Sequence, residues 1–228
     1  MHIYRQGDIQ VFMTDTKYYQ TYIVTNRDKT VMIDTGLAIE RAAIEAGMEK
    51  DFLFSVDAIF LTHGHADNSG NAEYFSMLFN CPVYCPKLSL PAITRGHVTM
   101  PPPTHPYAQK IKNYSVVNQM PDFAPFEGCP TAQAITPIVA KEWLGDTARL
   151  IATPGHSEDS VSYQVGDICF IGDSFQNTKK GVCAPLWMDN EKQLRLSMQT
   201  LGRLHLPYYF PAHGKAYSVD EWQEQRQA

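Results

Sequence analysis

Two imidazoles and one carboxylate lie within five residues in the segment HGHAD, residues 63–67. The short apolar run 56–62 precedes them and predicts a buried strand that leads into a turn. We expect Gly64 to bend this turn sharply enough for both rings to face one point. Imidazole and carboxylate together suit zinc, iron or manganese. The segment therefore predicts part of a metal site, although two histidines also occur by chance in surface loops.

Three later segments place further side chains of the same types at the ends of predicted strands. His156 lies in TPGH, Asp173 follows a glycine, and His213 follows the predicted strand 208–210. Functional side chains gather where strands end in α/β and sandwich folds. We therefore expect four histidines and two aspartates to converge on a pair of metal ions. The six expected ligands are His63, His65, Asp67, His156, Asp173 and His213.

The elements that must position these side chains indicate a mixed α/β fold. Enrichment in β-branched and aromatic residues, or a short apolar run, predicts strands at 8–13, 18–25, 29–33, 56–62, 82–84, 149–152, 160–165, 168–171 and 208–210. Helical spacing of apolar residues predicts helices at 37–50, 72–79 and 191–204. Nine of the fifteen prolines lie between Pro91 and Pro137. This predicts a loop packed over the site at about 88–136, with a flexible linker as the alternative.

The composition excludes several classes of function. The formal net charge of −5 argues against recognition of a phosphate backbone, which needs clustered Lys and Arg. No stretch approaches the roughly 20 apolar residues of a membrane span, and no secretory signal is evident at the start. Five cysteines without a CxxC motif indicate reduced thiols. We expect a cytoplasmic protein with a small-molecule substrate and no nucleic-acid or membrane partner, and infer no oligomeric state.

The ordered set IDTG, HGHAD, TPGH, GD and AHG, spread over residues 33–214, resembles the metallo-β-lactamase superfamily. Within it, the hydrolases similar to glyoxalase II or to lactonases are the branch that we favour. The resemblance implies a single domain over residues 1–228, of α/β (α+β) class. Its fold is a four-layered αββα sandwich with the metal site at one edge of the two sheets. The Pro-rich segment falls where the family varies, as an insertion or cover loop.

The resemblance also implies a role for each candidate ligand. His63, His65 and His156 match ligands of a first metal ion, and Asp67 and His213 match ligands of a second. Asp173 matches the carboxylate that bridges both, and Asp34 of IDTG matches a structural position that holds the site loops. The implied cofactors are two divalent metal ions, with zinc the first choice.

Asn68 departs from the family pattern HxHxDH, in which the last histidine also binds the second metal ion. An amide oxygen is a weaker zinc ligand than imidazole, although harder ions tolerate it. We therefore expect a full first site and a weaker second site, which iron or manganese would suit. Restoring the motif with Asn68→His should tighten the second ion.

Such a centre suits hydrolysis of an ester, thioester or lactone bond by a metal-activated water. Asp67 is the expected proton shuttle toward the leaving group. Family members that destroy β-lactams often carry Cys where Asp173 stands, so β-lactam cleavage is disfavoured. We expect His97 and His105 of the Pro-rich segment, and Trp187 of a later loop, to be candidates for substrate contact.

Two alternatives remain open. The first is a mononuclear iron dioxygenase similar to the persulfide dioxygenases, in which His63, His156 and Asp173 would hold one iron. The second is a non-catalytic metal-binding module, against which the six intact ligand candidates argue.

Overall fold

A computed structural model describes residues 2–14, 16, 19–99, 125–178, 181–218 and 220, together with 103, 106, 108–110 and 113. The strands within these residues are β1 His2–Gln6, β2 Ile9–Met13, β3 Tyr22–Asn26, β4 Lys29–Ile33, β5 Ala58–Phe60, β6 Val83–Cys85, β7 Gln133–Ala134, β8 Arg149–Ala152, β9 Val161–Val165, β10 Ile168–Thr178, β11 Gly181–Cys183, β12 Tyr208–Gly214 and β13 Tyr217–Ser218. The α-helices are α1 Arg41–Lys50, α2 Ala66–Ser69, α3 Ala72–Phe79, α4 Leu90–Arg95, α5 Pro137–Leu144 and α6 Glu191–Gly202. Short 3-10 turns, Ala38–Glu40 and Lys87–Ser89, precede α1 and α4.

The strands form two sheets. The first follows the chain in the order β1-β2-β3-β4-β5-β6-β7, antiparallel as far as β4 and parallel from β4 onward. The second has the order β13-β12-β10-β9-β8, with β11 paired to β10. Its two central strands, β10 and β12, run parallel.

Three buried apolar clusters stack the elements in four layers. One lies between the sheets, where Val24 and Phe60 of the first sheet pack with Phe170 of the second. Another packs the outer face of the first sheet on α1, α3 and α4, through residues such as Met32 and Ile44. The third packs the outer face of the second sheet on α6. The expected αββα sandwich is therefore confirmed.

The structure corrects the sequence prediction where prolines begin helices. Pro91 and Pro137 each lie in the first turn of a helix, α4 and α5, and neither helix was predicted. Proline is tolerated there because the first helical N–H groups have no partner within the helix. Thr136 also caps α5 by accepting a hydrogen bond from the N–H of Val139.

Two strands extend further along the chain than predicted, which changes where two site residues lie relative to the strand ends. β10 continues to Thr178 and β12 continues to Gly214, so Asp173 and His213 lie within strands rather than after them. The predicted helix 37–50 begins instead as a 3-10 turn. In the described part of the chain, no helix combines the length and apolar character needed to cross a membrane.

Candidate metal centre

The structure brings the six predicted ligands into two adjoining clusters. The first consists of His63, His65 and His156, and the second of Asp67, Asp173 and His213. Within each cluster the nearest ligand atoms of the three side chains lie within 4.8 Å of one another. Their role as metal ligands remains a prediction, which the geometry below supports.

The turn after β5 carries two of the histidines. His63 and His65 are buried, with 0% and 2% of their surface exposed. Gly64 lies between the two histidines without a positive φ. A Cβ at this position would lie 3.1 Å from Oδ2 of Asp159, a tight contact that would require the carboxylate to shift.

A hydrogen-bond network behind His63 orients its ring. Nδ1 of His63 lies 3.1 Å from Oγ1 of Thr62, whose hydroxyl donates to Oδ2 of Asp34 at 2.8 Å. A hydroxyl that donates to the carboxylate is free to accept the proton of Nδ1, which leaves the lone pair on Nε2 for a metal ion. Asp34 also accepts from the backbone N–H of Thr62 at 2.8 Å.

Asp34 itself is held under strain. Its φ of 57° lies in the left-handed region, which non-glycine residues rarely adopt, and such strain concentrates at functional sites. Burial raises its pKa to about 7, against the opposing effects of His63 and the Thr62 hydrogen bonds. This position matches the structural role that the resemblance implies for Asp34.

Asn68 belongs to the same network. It is fully buried in α2, and its Nδ2 donates to Oδ2 of Asp34 at 3.1 Å and to Oγ1 of Thr62 at 3.2 Å. The amide nitrogen therefore faces the residues that support His63.

The turn between β8 and β9 supplies the third histidine. Nδ1 of His156 lies 2.8 Å from the carbonyl oxygen of Trp187, which can only accept, so Nδ1 carries the proton. Nε2 then keeps its lone pair and faces Nδ1 of His65 at 2.9 Å. Gly155 precedes this histidine at φ 137°, where an added Cβ would collide with the backbone nitrogen of Leu194.

Asp173 joins the two clusters. Its Oδ2 lies 3.3 Å from Nε2 of His156 and 3.2 Å from Nε2 of His213. The pairing of β10 with β12 shifts register between Gly172 and Gln176, the stretch that contains Asp173. Such an irregularity redirects side chains and is common beside active sites.

The second cluster is the more open of the two. The side chains of Asp67 and His213 are 12% and 24% exposed, and Nε2 of His213 lies 3.4 Å from Oδ2 of Asp67. The ring of Tyr19 packs edge-on against His213, with ring centroids 4.9 Å apart. Tyr19 belongs to a small apolar cluster with Leu37 and Ala66. This side of the centre therefore has an apolar wall.

The electrostatics of both clusters suit bound cations. Burial lowers the pKa of His65 to about 3, and the neighbouring histidines add to this shift, so its ring is neutral at pH 7. Burial likewise lowers the pKa of His156. Burial raises the pKa of Asp173, but the charges of His213 and His156 outweigh this effect and hold it well below its usual range. Burial lowers the pKa of His213, but its interactions with Asp173 and Asp67 outweigh burial and raise that pKa well above its usual range. The neutral imidazoles of the first cluster are therefore ready to bind a divalent metal, whereas a metal ion in the second cluster would displace the proton of His213.

Two buried atoms support the same interpretation. Within the described residues, Nε2 of His63 and Oδ1 of Asp173 have no hydrogen-bond partner. A buried polar atom without a partner carries a desolvation cost that a metal ion would offset. The donor set, one group of three imidazoles and one of two carboxylates and an imidazole, is that of zinc, iron or manganese. The residues therefore fit two divalent ions.

The remaining predicted site residues have different positions. Trp187 is half-buried and touches the site through its carbonyl oxygen on His156. His97 is exposed just after α4 and belongs to neither cluster. His105 lies outside the described residues. Sequence reasoning missed Asp159, because acidic residues shortly after TPGH carry no motif signal.

Comparison with known proteins agrees with this geometry. Residues 15–217 match the sequence model of the metallo-beta-lactamase superfamily. The probable metallo-hydrolase YybB of Bacillus subtilis (strain 168) is 25% identical over 173 residues, which are 73% of this chain and 66% of YybB, just under two thirds of that relative.

Solved structures share the fold at low sequence identity. ST1585 of Sulfolobus tokodaii, an archaeal protein of this superfamily, superposes with a TM-score of 0.66 at 23% identity, covering 92% of this chain and 79% of its own. TTHA1429 of Thermus thermophilus has a TM-score of 0.66 at 18% identity, and the match covers 96% of this chain and 79% of TTHA1429. TTHA1623, solved in a di-iron-bound form, has a TM-score of 0.63 at 20% identity, and the match covers 90% of this chain and 92% of TTHA1623.

Proposed function

Because the chain belongs to the metallo-beta-lactamase superfamily, we propose that it is a metal-dependent hydrolase of a small-molecule ester, thioester or lactone. One observation carries the proposal: Oδ2 of Asp173 lies between His156 of one cluster and His213 of the other, 3.3 and 3.2 Å from their Nε2 atoms. A carboxylate shared in this way makes the two clusters parts of one two-ion centre. The match to the probable metallo-hydrolase YybB supports the same class of reaction.

Metal ions bound here would lower the pKa of a water ligand toward about 7 and polarise the carbonyl under attack. His63, His65 and His156 would hold the first ion, and Asp67, Asp173 and His213 the second. The hydrogen bonds behind His63 and His156 fix which nitrogen of each ring faces the centre. The chain thereby holds its ligands in place before substrate arrives, which is how outer hydrogen bonds support metal sites.

Asp67 is the residue that we assign to proton transfer. Burial raises its pKa, but the hydrogen bond from His213 and the charges of His213 and His65 outweigh burial, so the pKa is lowered. An ionised carboxylate at pH 7 can accept a proton from the attacking water and deliver it to the leaving group. Its 12% exposure leaves it accessible from the open side of the centre.

The test is hydrolysis of a panel of aryl esters, acyl thioesters and lactones by protein reconstituted with zinc, iron or manganese. We expect turnover of at least one of the three classes, lost after treatment with a chelator and restored by the metal. A β-lactam belongs on the panel because Rm3, which shares the fold at 18% identity, is a metallo-beta-lactamase. Turnover that persists in the fully chelated protein would contradict the proposal, as would inactivity of every reconstituted form on all classes.

Iron is one of the metals that the site fits, so the alternative function as a mononuclear iron dioxygenase also stays open. The solved structure of TTHA1623 holds two iron ions, so the fold accommodates this metal in that protein. A single iron per chain, with oxygen consumed in the presence of a persulfide and no ester, thioester or lactone hydrolysis, would replace the hydrolase proposal with that alternative.

A further inference from the structure

One carboxylate outside the two clusters connects the turns that carry all three histidines of the first cluster. Asp159 lies three residues after His156, on the same turn between β8 and β9. Its Oδ2 accepts a hydrogen bond from the backbone N–H of Gly64 at 2.9 Å, and Gly64 stands between the other two histidines. The same oxygen accepts from Oγ of Ser89 at 2.6 Å, immediately before α4.

Gly64 packs closely against Asp159 and the start of α4. A Cβ on this residue would lie 3.1 Å from Oδ2 of Asp159, 3.6 Å from Cβ of Ala92 and 3.6 Å from Cβ of Ser89. The turn therefore lies in contact with both the carboxylate and the start of α4. A shift of the carboxylate would move the backbone that carries the imidazoles on either side.

The negative charge of Asp159 strengthens the hydrogen bonds that it accepts from Gly64 and Ser89. Burial raises its pKa, but the charge of His63 and the hydrogen bonds from Ser157 and Ser89 outweigh burial, so the pKa is lowered. Hydrogen bonds to an ionised acceptor are roughly twice as strong as neutral ones. The carboxylate does not itself belong to either candidate ligand cluster.

From these contacts we infer that Asp159 is a positioning residue for the first metal ion, acting through Gly64 and Ser89 rather than by ligation. The inference rests on the proposed function of the three histidines as a metal site. It adds that the affinity of this site depends on a residue which the ligand motifs do not include. A hydrogen bond to a charged group contributes on the order of 10- to 100-fold to an equilibrium constant, and Asp159 accepts two such bonds that hold the turns of the ligands.

The test is the affinity of the first site for cobalt, measured by competition with a chromophoric chelator. Asp159→Ala should weaken binding of the tighter ion on the order of 10- to 100-fold and alter its visible absorption spectrum. Asp159→Asn should restore part of the affinity, because an amide oxygen still accepts from Gly64. The matched control is Glu158→Ala, which removes the neighbouring exposed carboxylate and should leave the affinity unchanged. Cobalt affinity and spectrum of Asp159→Ala equal to those of the parent chain would overturn the inference.

A milder variant keeps the test decisive if Asp159→Ala does not fold. Ser89→Ala removes one hydroxyl donor and should weaken cobalt binding by roughly threefold to tenfold. An unchanged affinity in both Ser89→Ala and Asp159→Asn would reject the positioning role. Because the readout is metal binding, its outcome is separate from that of the proposed function: a parent chain that binds cobalt but hydrolyses nothing contradicts only the proposed reaction.

Discussion

Oδ2 of Asp173 lies 3.3 Å from Nε2 of His156, although the two residues come from different candidate metal clusters. The histidine is 3% exposed and the aspartate 4%. At this distance and burial, neither group can change its charge or position without affecting the other. The two clusters therefore behave as one centre, and removal of the shared carboxylate should affect both.

Asp173→Ala should reduce the bound metal from two ions per chain to one or fewer. The variant removes a ligand from the second cluster and the negative charge that lies against both clusters. Elemental analysis after dialysis against the metal gives the ratio. Ser174→Ala, a buried neighbour in the same strand, is the matched control and should keep two ions. Two ions retained by Asp173→Ala would show that the carboxylate does not join the sites.

Asp67→Asn should lower kcat on the order of 10²- to 10⁴-fold, the usual contribution of a positioned proton-transfer group. KM should change little, since the amide keeps the size of the carboxylate. Steady-state kinetics on the best substrate of the panel measures both constants, with metal content determined on the same samples. Asp28→Asn, at an exposed turn, is the control. If kcat is retained while two ions stay bound, another group moves the proton.

The two ions should bind with different affinities, because the first cluster is buried and has three imidazoles, whereas the second is more open and has only one. Calorimetric titration of the metal-free protein should show two steps. Asn68→His should tighten the weaker step on the order of tenfold, since the family pattern places an imidazole at this position as a further ligand of the second ion. Asn68→Ala offers no ligand and should not tighten it. The same weaker-step affinity in Asn68→His and in the parent chain would refute this explanation.

Gly155→Ala should destabilise the fold by at least roughly 3 kcal/mol, because the added Cβ collides with the backbone of Leu194. Urea unfolding gives the loss in free energy of unfolding. Gly7→Ala is the matched control: it also has a positive φ, but no heavy atom lies within 4 Å of its Cβ position, so the expected cost is about 1–2 kcal/mol. Equal losses in the two variants would mean that the close contact beside His156 is not what requires this glycine.

The six candidate ligands could be predicted because their signals are local. HGHAD and TPGH place the required side chain types in short stretches after recognisable strands, whereas the sandwich fold was implied by the resemblance that the ordered motifs carry. The ends of β10 and β12 could not be predicted in the same way. Their extension past Asp173 and His213 depends on pairing between distant strands, including a register shift that no local pattern indicates.

The residues that support the candidate ligands could not be predicted from the sequence for a related reason. The role of Gly64 depends on the carboxylate of Asp159, 95 residues away, and on the start of α4. The first-turn positions of Pro91 and Pro137 were a local signal that was misinterpreted, because proline was treated only as a helix breaker. Contacts between distant segments therefore determine how the centre is supported, while short motifs determine which side chains it contains.

The most direct test of the account is the metal content of the purified protein after reconstitution with zinc, iron and manganese in turn. Elemental analysis should give two ions per chain for at least one of these metals, and His63→Ala should lose at least one of them. Fewer than two ions per chain with all three metals would contradict the two-ion centre. A parent chain that binds none would contradict the account as a whole.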